Sequence, residues 1–181
     1  MTAPRTLVVT LTLALGAVAG CTGADNPAGF TGTTTTSPTT TSSSATTTQA
    51  DSDKAEVERA IIGFSRVTDQ LATSPKASLD KLASVSRGES NSQWTQILTN
   101  YRRKAWKQVG STSVQVTRVH AQGSSSFTAM ACLDVSKVNL VDKDGKSVVA
   151  ATRPSRVAYD YSVRKAGDVY FITEDKAVRT C

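Results

Sequence analysis

The spacing of apolar residues changes near Thr112 from a helical period to alternation, and this change constrains the fold more than any other feature of the sequence. Before it, apolar residues recur every three or four positions, as on one face of an amphipathic helix. After it, β-branched residues dominate and apolar and polar residues alternate, as in half-buried strands. Helices followed by strands predict an α+β domain, with the helices on one side of a curved antiparallel sheet of four or more strands.

Three helices are predicted before the change. The first runs from Asp53 to Ala72 and ends before Pro75, because proline disfavours a continuing helix. The second is the short segment "SLDKLASV". The third is "SNSQWTQILTNYRRKAWKQV", with Gly110 as its stop.

The strands are predicted at "TSVQVTRVHA", "SSFTAMACLDVSKVNLV", "RVAYDYSVRK" and "VYFITED". The segment "DKDGK" is a tight turn with Gly145 at the left-handed position, so "NLV" and "SVVA" are expected to form a hairpin around it. Alternation in "RVAYDYSVRK" places Tyr159 and Tyr161 on one face, the predicted core side, and Asp160 on the other.

The first twenty residues have the order of an export signal, with Arg5, an apolar run and small residues before Cys21. The apolar run is shorter than the roughly 20 residues that a spanning helix needs. "VAGC" at its end resembles the lipobox of bacterial lipoproteins. The resemblance implies that the Cys21 thiol takes a diacylglyceryl group, that residues 1–20 are cleaved, and that acyl chains hold the protein on the extracytoplasmic face of a cell membrane.

Residues 21–51 consist mostly of Thr, Ser, Ala, Gly and Pro. Such a segment buries too little apolar surface to offset the entropy of ordering, so it is predicted to be a disordered tether. Residues 52–181 have ordinary composition and suffice for one domain with a single core.

The chain has three cysteines. With Cys21 lipidated, Cys132 and Cys181 form an even pair in an oxidising compartment, and a disulfide between them is predicted. The alternatives are two buried thiols or a metal site, although two thiolates and His120 fall short of the four ligands of structural zinc. No metal and no cofactor are predicted.

The segments "YRRKAWKQVGST", "ACLDVS", "VDKDGK", "YDYSVRK" and "DVYFITED", with the terminal cysteine, resemble the nuclear transport factor 2-like domains of small actinobacterial and phage lipoproteins. The resemblance implies a cone-shaped domain in which the helices and the sheet surround a pocket. This fold hosts both enzymes and non-catalytic modules, so it does not determine the function.

Catalytic members of that fold use a carboxylate, or an Asp with a His, inside the pocket as acid or base. The candidates here are Asp134, Asp160 and His120, but His120 lies near a strand end and Asp160 opposite the core side. We therefore expect a binding or accessory module rather than an enzyme. The alternatives are a cone pocket that binds or turns over a small molecule, with a strand carboxylate as acid or base, and a phage-type lipoprotein for surface exclusion.

The formal net charge is +6. Its densest cluster lies near the end of the third predicted helix and comprises Arg102, Arg103, Lys104 and Lys107. These cations either match the helix dipole or form a surface for anionic lipid or an acidic wall polymer. An exported domain rarely meets nucleic acid, so no nucleic-acid partner is predicted.

Overall fold

The computed structural model describes residues 44–181, with side chains described from residue 49 onward. The helices in this range are α1 (Ser44–Thr73), a 3₁₀ helix (Leu79–Ser84) and α2 (Gly88–Arg103). The strands are β1 (Lys107–Val109), β2 (Ser113–Ala121), β3 (Ser126–Asp134), β4 (Asn139–Val141), β5 (Arg156–Ala166) and β6 (Val169–Thr180). The predicted signal peptide, Cys21 and the predicted tether before residue 44 lie outside the described residues.

Four strands form one antiparallel sheet in the order β2-β3-β5-β6, and β1 pairs with β4 in a separate two-stranded ladder. Register shifts interrupt the β2-β3 pairing and, at two points, the β5-β6 pairing. Such bulges bend a strand and increase its twist. The helices pack on one face of the sheet, which we call the inner face. The predicted α+β architecture is confirmed.

The core lies between α1 and the inner face. Helix α1 buries Val57, Ile61 and Phe64 against strand residues that include Phe127 and Ile172. A second cluster joins α1, the 3₁₀ helix and α2, and consists of Leu71, Ala72, Leu82 and Leu98. The apolar periodicity of the predicted helices therefore identifies the faces that are buried.

Helix α1 begins at Ser44, well before the predicted start at Asp53. The last residues of the predicted tether are thus helical, because an existing helix extends without the cost of a new nucleus. The second predicted helix is a 3₁₀ turn, whose Asp80 N–H donates to the Ser78 hydroxyl at 3.2 Å.

The third predicted helix ends at Arg103 and does not continue to Gly110. Ala105 has a φ of +53°, and the Trp106 N–H donates to the carbonyl of Tyr101 at 2.8 Å. This is the hydrogen-bond pattern of a left-handed helix end, which reverses the chain. The residues that follow pair with β4 as strand β1, so strand pairing prevails over the helical pattern.

The long second predicted strand is divided into β3 and β4 by a turn, in which the Val138 N–H donates to the carbonyl of Val135 at 3.0 Å. The predicted turn at Gly145 is present: its φ is +80°, and its N–H donates to the carbonyl of Asp142 at 3.1 Å. The returning chain makes one bridge to β4, between Ser147 and Val141.

The predicted disulfide joins Cys132 on β3 to Cys181, with 6.1 Å between the two Cα atoms. Strand β5 lies between β3 and β6, so the bridge crosses it on the outer face of the sheet. Ala158, the β5 partner of Cys132, is accordingly buried although it lies on that face. The bridge attaches the last residue of the chain to the middle of the sheet.

Candidate functional site

A cavity of about 240 Å³ lies between the helices and the inner face of the sheet. Its aromatic lining consists of Phe64, Trp94, Tyr101, Tyr159 and Tyr161. Its polar lining includes Thr68, Asp69, Gln108, Arg153 and Asp175. An apolar cavity of roughly 150 Å³ holds benzene, so this cavity has room for a ligand somewhat larger than one ring.

Three elements place the side chains around the buried carboxylate of Asp175. On β6, Asp175 lies opposite Tyr161 of β5 in the strand register. On α2, Ser90 and Trp94 are four residues apart and therefore lie on the same face of the helix. The inward alternation of Tyr159 and Tyr161 is the one predicted from the sequence.

Asp175 is only 5% exposed. Its Oδ1 accepts a hydrogen bond from the Ser90 hydroxyl at 2.5 Å, and its Oδ2 accepts one from the Trp94 indole N–H at 2.9 Å. Burial raises the pKa of Asp175, the hydrogen bonds from Ser90 and Trp94 oppose this shift, and the charge of Glu174 adds to it. Asp175 thus takes up a proton more readily than an ordinary aspartate does.

Three tyrosine hydroxyls of the lining have no hydrogen-bond partner among residues 49–181. They belong to Tyr101, Tyr159 and Tyr161, and the Tyr161 side chain is only 3% exposed. Burial raises the pKa of each of these phenols. They are therefore neutral near pH 7 and can both donate and accept hydrogen bonds. We call them the open hydroxyls.

Asp69 also lines the cavity, but its carboxylate is engaged by the protein. Its Oδ2 accepts from the Thr112 N–H at 2.7 Å, and its Oδ1 accepts from the Gln108 amide at 2.6 Å and from the Thr112 hydroxyl at 3.0 Å. Asp69 thereby joins α1 to the β1-β2 connection. Arg153 donates from Nη2 to the carbonyls of Val135 and Val138, at 3.0 and 2.8 Å.

None of the predicted acid-base candidates lines this cavity. Asp160 and His120 lie on the outer face of the sheet and line an open polar groove there. Asp134 accepts a hydrogen bond from the Ser136 N–H at 2.9 Å, and Ser136 lowers the pKa of Asp134. These positions follow from strand alternation, which directs the side chains of Asp134, Asp160 and His120 away from the helices.

Asp175 was not among the predicted candidates, and a β-bulge explains why. Ile172 pairs with Val163 and Glu174 pairs with Ser162, so Thr173 is an extra residue in β6. Strict alternation from Ile172 would turn Glu174 inward and Asp175 outward. The extra residue reverses this assignment. The sequence contains one signal for this. In the run "TED" two carboxylates are adjacent, so a shift of one residue decides which of them faces inward.

The predicted basic cluster is only partly available to a partner. Arg102 donates from Nη2 to the carbonyl of Ala77, so its charge supports the fold. Arg103 and Lys107 are exposed, and the Lys104 ammonium lies 4.2 Å from the centre of the Trp106 ring. The exposed cations Arg103, Lys104 and Lys107 thus flank Trp106 in the sequence, and Lys104 lies over its ring.

No helix among residues 44–181 is long and apolar enough to cross a membrane. No group of three or more His, Cys, Asp or Glu side chains in the described region is placed to hold a metal ion.

No family model matches the sequence, and no curated protein matches it. The fold is similar to that of solved structures. The intermembrane space region of the chloroplast protein ARC6 has 16% identity and a TM-score of 0.54, over 68% of this chain and 95% of that one. A putative aromatic ring hydroxylase from Novosphingobium aromaticivorans has 15% identity and a TM-score of 0.44, over 71% of this chain and 89% of that one.

A variant of Rd1NTF2_05 has 14% identity and a TM-score of 0.40, over 69% of this chain and 99% of that one. At these identities the likeness concerns the fold and not the activity. The described domain therefore shares its α+β fold with the intermembrane space region of ARC6.

Proposed function

We propose that this protein is an exported lipoprotein, anchored through acyl chains on Cys21 to the extracytoplasmic face of a cell membrane, and that its α+β domain binds a small molecule in the cavity. The support for anchoring is the order of Arg5, the apolar run and Cys21. The support for binding is the cavity itself, in which a buried carboxylate and the three open hydroxyls converge.

A cavity lined by polar groups lowers the free energy of unfolding, so stability alone does not explain why this domain has one. Protein interiors are normally packed at the density of organic crystals, with few voids larger than a water molecule, and burying a carboxylate without a paired cation costs free energy. Asp175 and the open hydroxyls would be replaced by apolar side chains if packing were their only role. A largely apolar pocket with a few convergent polar groups and a perturbed pKa is instead typical of a ligand site.

The anchoring proposal is tested by the intact mass of the full chain recovered from membranes, beside a Cys21→Ser variant. We expect a diacylglyceryl-sized addition on Cys21, and two alkylated cysteines only after reduction. The variant is expected to lack the lipid and to be released from the membrane. Recovery of unmodified wild-type protein from the medium would contradict anchoring.

The binding proposal is tested with a neutral ring compound, benzyl alcohol. The chain has two tryptophans, so a Trp106→Phe background leaves Trp94, in the cavity wall, as the fluorescent reporter. We expect a saturable change in Trp94 fluorescence. Val157→Phe, at a lining position, should abolish it by filling space, whereas Val178→Phe, at an exposed position of β6, should not. An equal response in both variants would place binding outside the cavity.

A second candidate function is acid-base catalysis by Asp175, rather than by Asp134 or Asp160. The observation that favours it is the raised pKa of a carboxylate inside a largely apolar cavity, which suits a general acid or base. The test is deuterium exchange in D₂O next to the carbonyl of a ring ketone such as cyclohexanone. Catalysis predicts exchange that Asp175→Asn abolishes and Asp160→Asn retains, and no exchange above the rate in buffer would leave binding as the function.

We also propose that the exposed cations around Trp106 meet anionic headgroups or acidic wall polymers. Each such charge contributes about 1 kcal/mol near an anionic surface. Sedimentation with phosphatidylglycerol vesicles should exceed that with phosphatidylcholine vesicles and should fall with added salt. Arg103→Gln and Lys107→Gln should weaken it, while Lys143→Gln, an exposed control in the β4 turn, should not. Equal binding to both kinds of vesicle would exclude a role for these charges.

A further inference from the structure

No cation among residues 49–181 forms a salt bridge with the buried carboxylate of Asp175. Arg153 lines the same cavity but donates to the carbonyls of Val135 and Val138. The nearest basic residues of the same strand lie on the outer face of the sheet, where Lys176 pairs in register with Asp160 and Arg179 with Ala158. A buried charge is costly unless it is paired. Within the described part of the chain, the ionised form of Asp175 is therefore held by the hydrogen bonds from Ser90 and Trp94 alone, and a cation that enters the cavity would stabilise it further.

The walls around Asp175 are aromatic. The Phe64 and Trp94 rings meet edge to face with their centres 6.0 Å apart, and the Tyr159 and Tyr161 rings are stacked with centres 6.1 Å apart. The face of an aromatic ring attracts an organic cation and offers no such attraction to an anion. Because the cavity offers aromatic rings where a metal ion would need further oxygen or nitrogen ligands, the walls favour an organic cation over an inorganic one.

Asp175 is also reached from outside the cavity. Asp175 and Tyr159 line a groove of about 270 Å³ along α2 and β6. The other charged side chains of this groove are Glu89, Glu174 and Lys176, so acidic groups outnumber the single basic one. In a chain whose formal net charge is +6, a local excess of carboxylates raises the concentration of cations at this surface.

We infer that the cavity recognises a protonated organic amine that carries a ring. The inference rests on the proposed binding function and names the class of its ligand. Each carboxylate oxygen of Asp175 accepts one hydrogen bond from the protein, and a carboxylate has about four acceptor positions, so the ammonium can still donate to it. The ring of the ligand lies against the aromatic walls, and the Tyr161 hydroxyl is positioned among them as a further acceptor.

The test uses three probes that share one ring and differ in charge: benzylamine, benzyl alcohol and benzoate. Each is titrated into the full chain in the Trp106→Phe background at constant pH and salt. We expect a Kd for benzylamine at least tenfold lower than that for benzyl alcohol, and the weakest binding for benzoate. Asp175→Asn should remove the preference for the amine but retain the affinity for benzyl alcohol. Asp160 is an outward aspartate on the neighbouring strand, so Asp160→Asn should change neither affinity.

The outcomes separate this inference from the proposed function. Equal affinity for amine and alcohol would overturn the amine preference and leave the binding cavity intact. No binding of any probe would overturn both. If the preference for the amine survives in Asp175→Asn, other surface carboxylates cause that preference, and the inference is contradicted.

If Asp175→Asn does not fold, Tyr159→Leu serves instead. Removing one aromatic face should weaken the binding of benzylamine several-fold more than the binding of benzyl alcohol. An equal loss of affinity for both probes would contradict the inference.

Discussion

Two aspartates of this domain have pKa values shifted in opposite directions. Asp53 on α1 accepts hydrogen bonds from the Tyr170 hydroxyl at 2.6 Å and the Lys165 ammonium at 3.0 Å, and these lower its pKa. Its contribution to stability is therefore present above the ordinary pKa of about 3.9 and lost as the pH falls through the lower, folded-state pKa. Burial raises the pKa of Asp175, so the stability of the fold declines as the pH rises through the interval above 3.9.

We therefore expect Asp53→Asn and Asp175→Asn to change the pH dependence of stability with opposite signs. The measurement is the free energy of unfolding by urea between pH 3 and pH 8. Relative to wild type, Asp175→Asn should gain stability as the pH rises, while Asp53→Asn should lose it. Glu174, whose charge also raises the pKa of Asp175, is retained in both variants, and the neighbouring tyrosines do not titrate in this range. Parallel pH profiles for the two variants would contradict these assignments.

Gly110 is a single residue on which the path of the backbone depends. Its φ is +81°, and an added Cβ would lie 1.8 Å from the carbonyl oxygen of Lys137. We expect Gly110→Ala to cost about 3 kcal/mol or more, because strain and a backbone clash add together. Gly145→Ala is the matched control, with a φ of +80° and open space around the Cβ; it should cost only about 1 kcal/mol. Similar losses in thermal or urea unfolding would show that no clash occurs.

At the scale of elements, the end of α2 is strained by its sequence. Ala105 occupies the left-handed position that glycine usually takes. We expect Ala105→Gly to raise the free energy of unfolding by up to about 1 kcal/mol, because relief of strain exceeds the added entropy of the unfolded chain. Ala55→Gly, at an exposed position within α1, should instead lower it by about 1 kcal/mol. A loss in both variants would contradict the left-handed helix end.

The same element shows where prediction from sequence stops. The helical spacing of Trp94, Leu98 and Tyr101 predicts the buried face of α2, but the end of the helix depends on β4, a strand from a later part of the chain. Alternation likewise predicts the inward side chains of β5. The bulge at Thr173 arises from pairing in the folded sheet, and it is this bulge that turns Asp175 inward.

At the scale of the whole molecule, the bridge between Cys132 and Cys181 closes a loop with a sequence separation of 49. The chain-entropy account gives roughly 4 kcal/mol for such a loop. We expect Cys181→Ser to lower the free energy of unfolding by about that amount. Reduction of the wild type should lower it equally and should leave Cys181→Ser unchanged. A wild type that is insensitive to reduction would show that the last residue contributes little to the fold.

The sequence alone determined that helices precede strands, which faces of the helices are apolar and how β5 alternates, and it predicted the disulfide between Cys132 and Cys181, because each depends on local periodicity or on counting. Only the tertiary structure decided which carboxylate lies in the cavity. Asp134 and Asp160 occupy regular strand positions and face outward, whereas Asp175 faces inward because one extra residue shifts β6 against β5. Such a shift lowers the free energy only when both strands and the overlying helix are in place, so no single segment of the sequence encodes it.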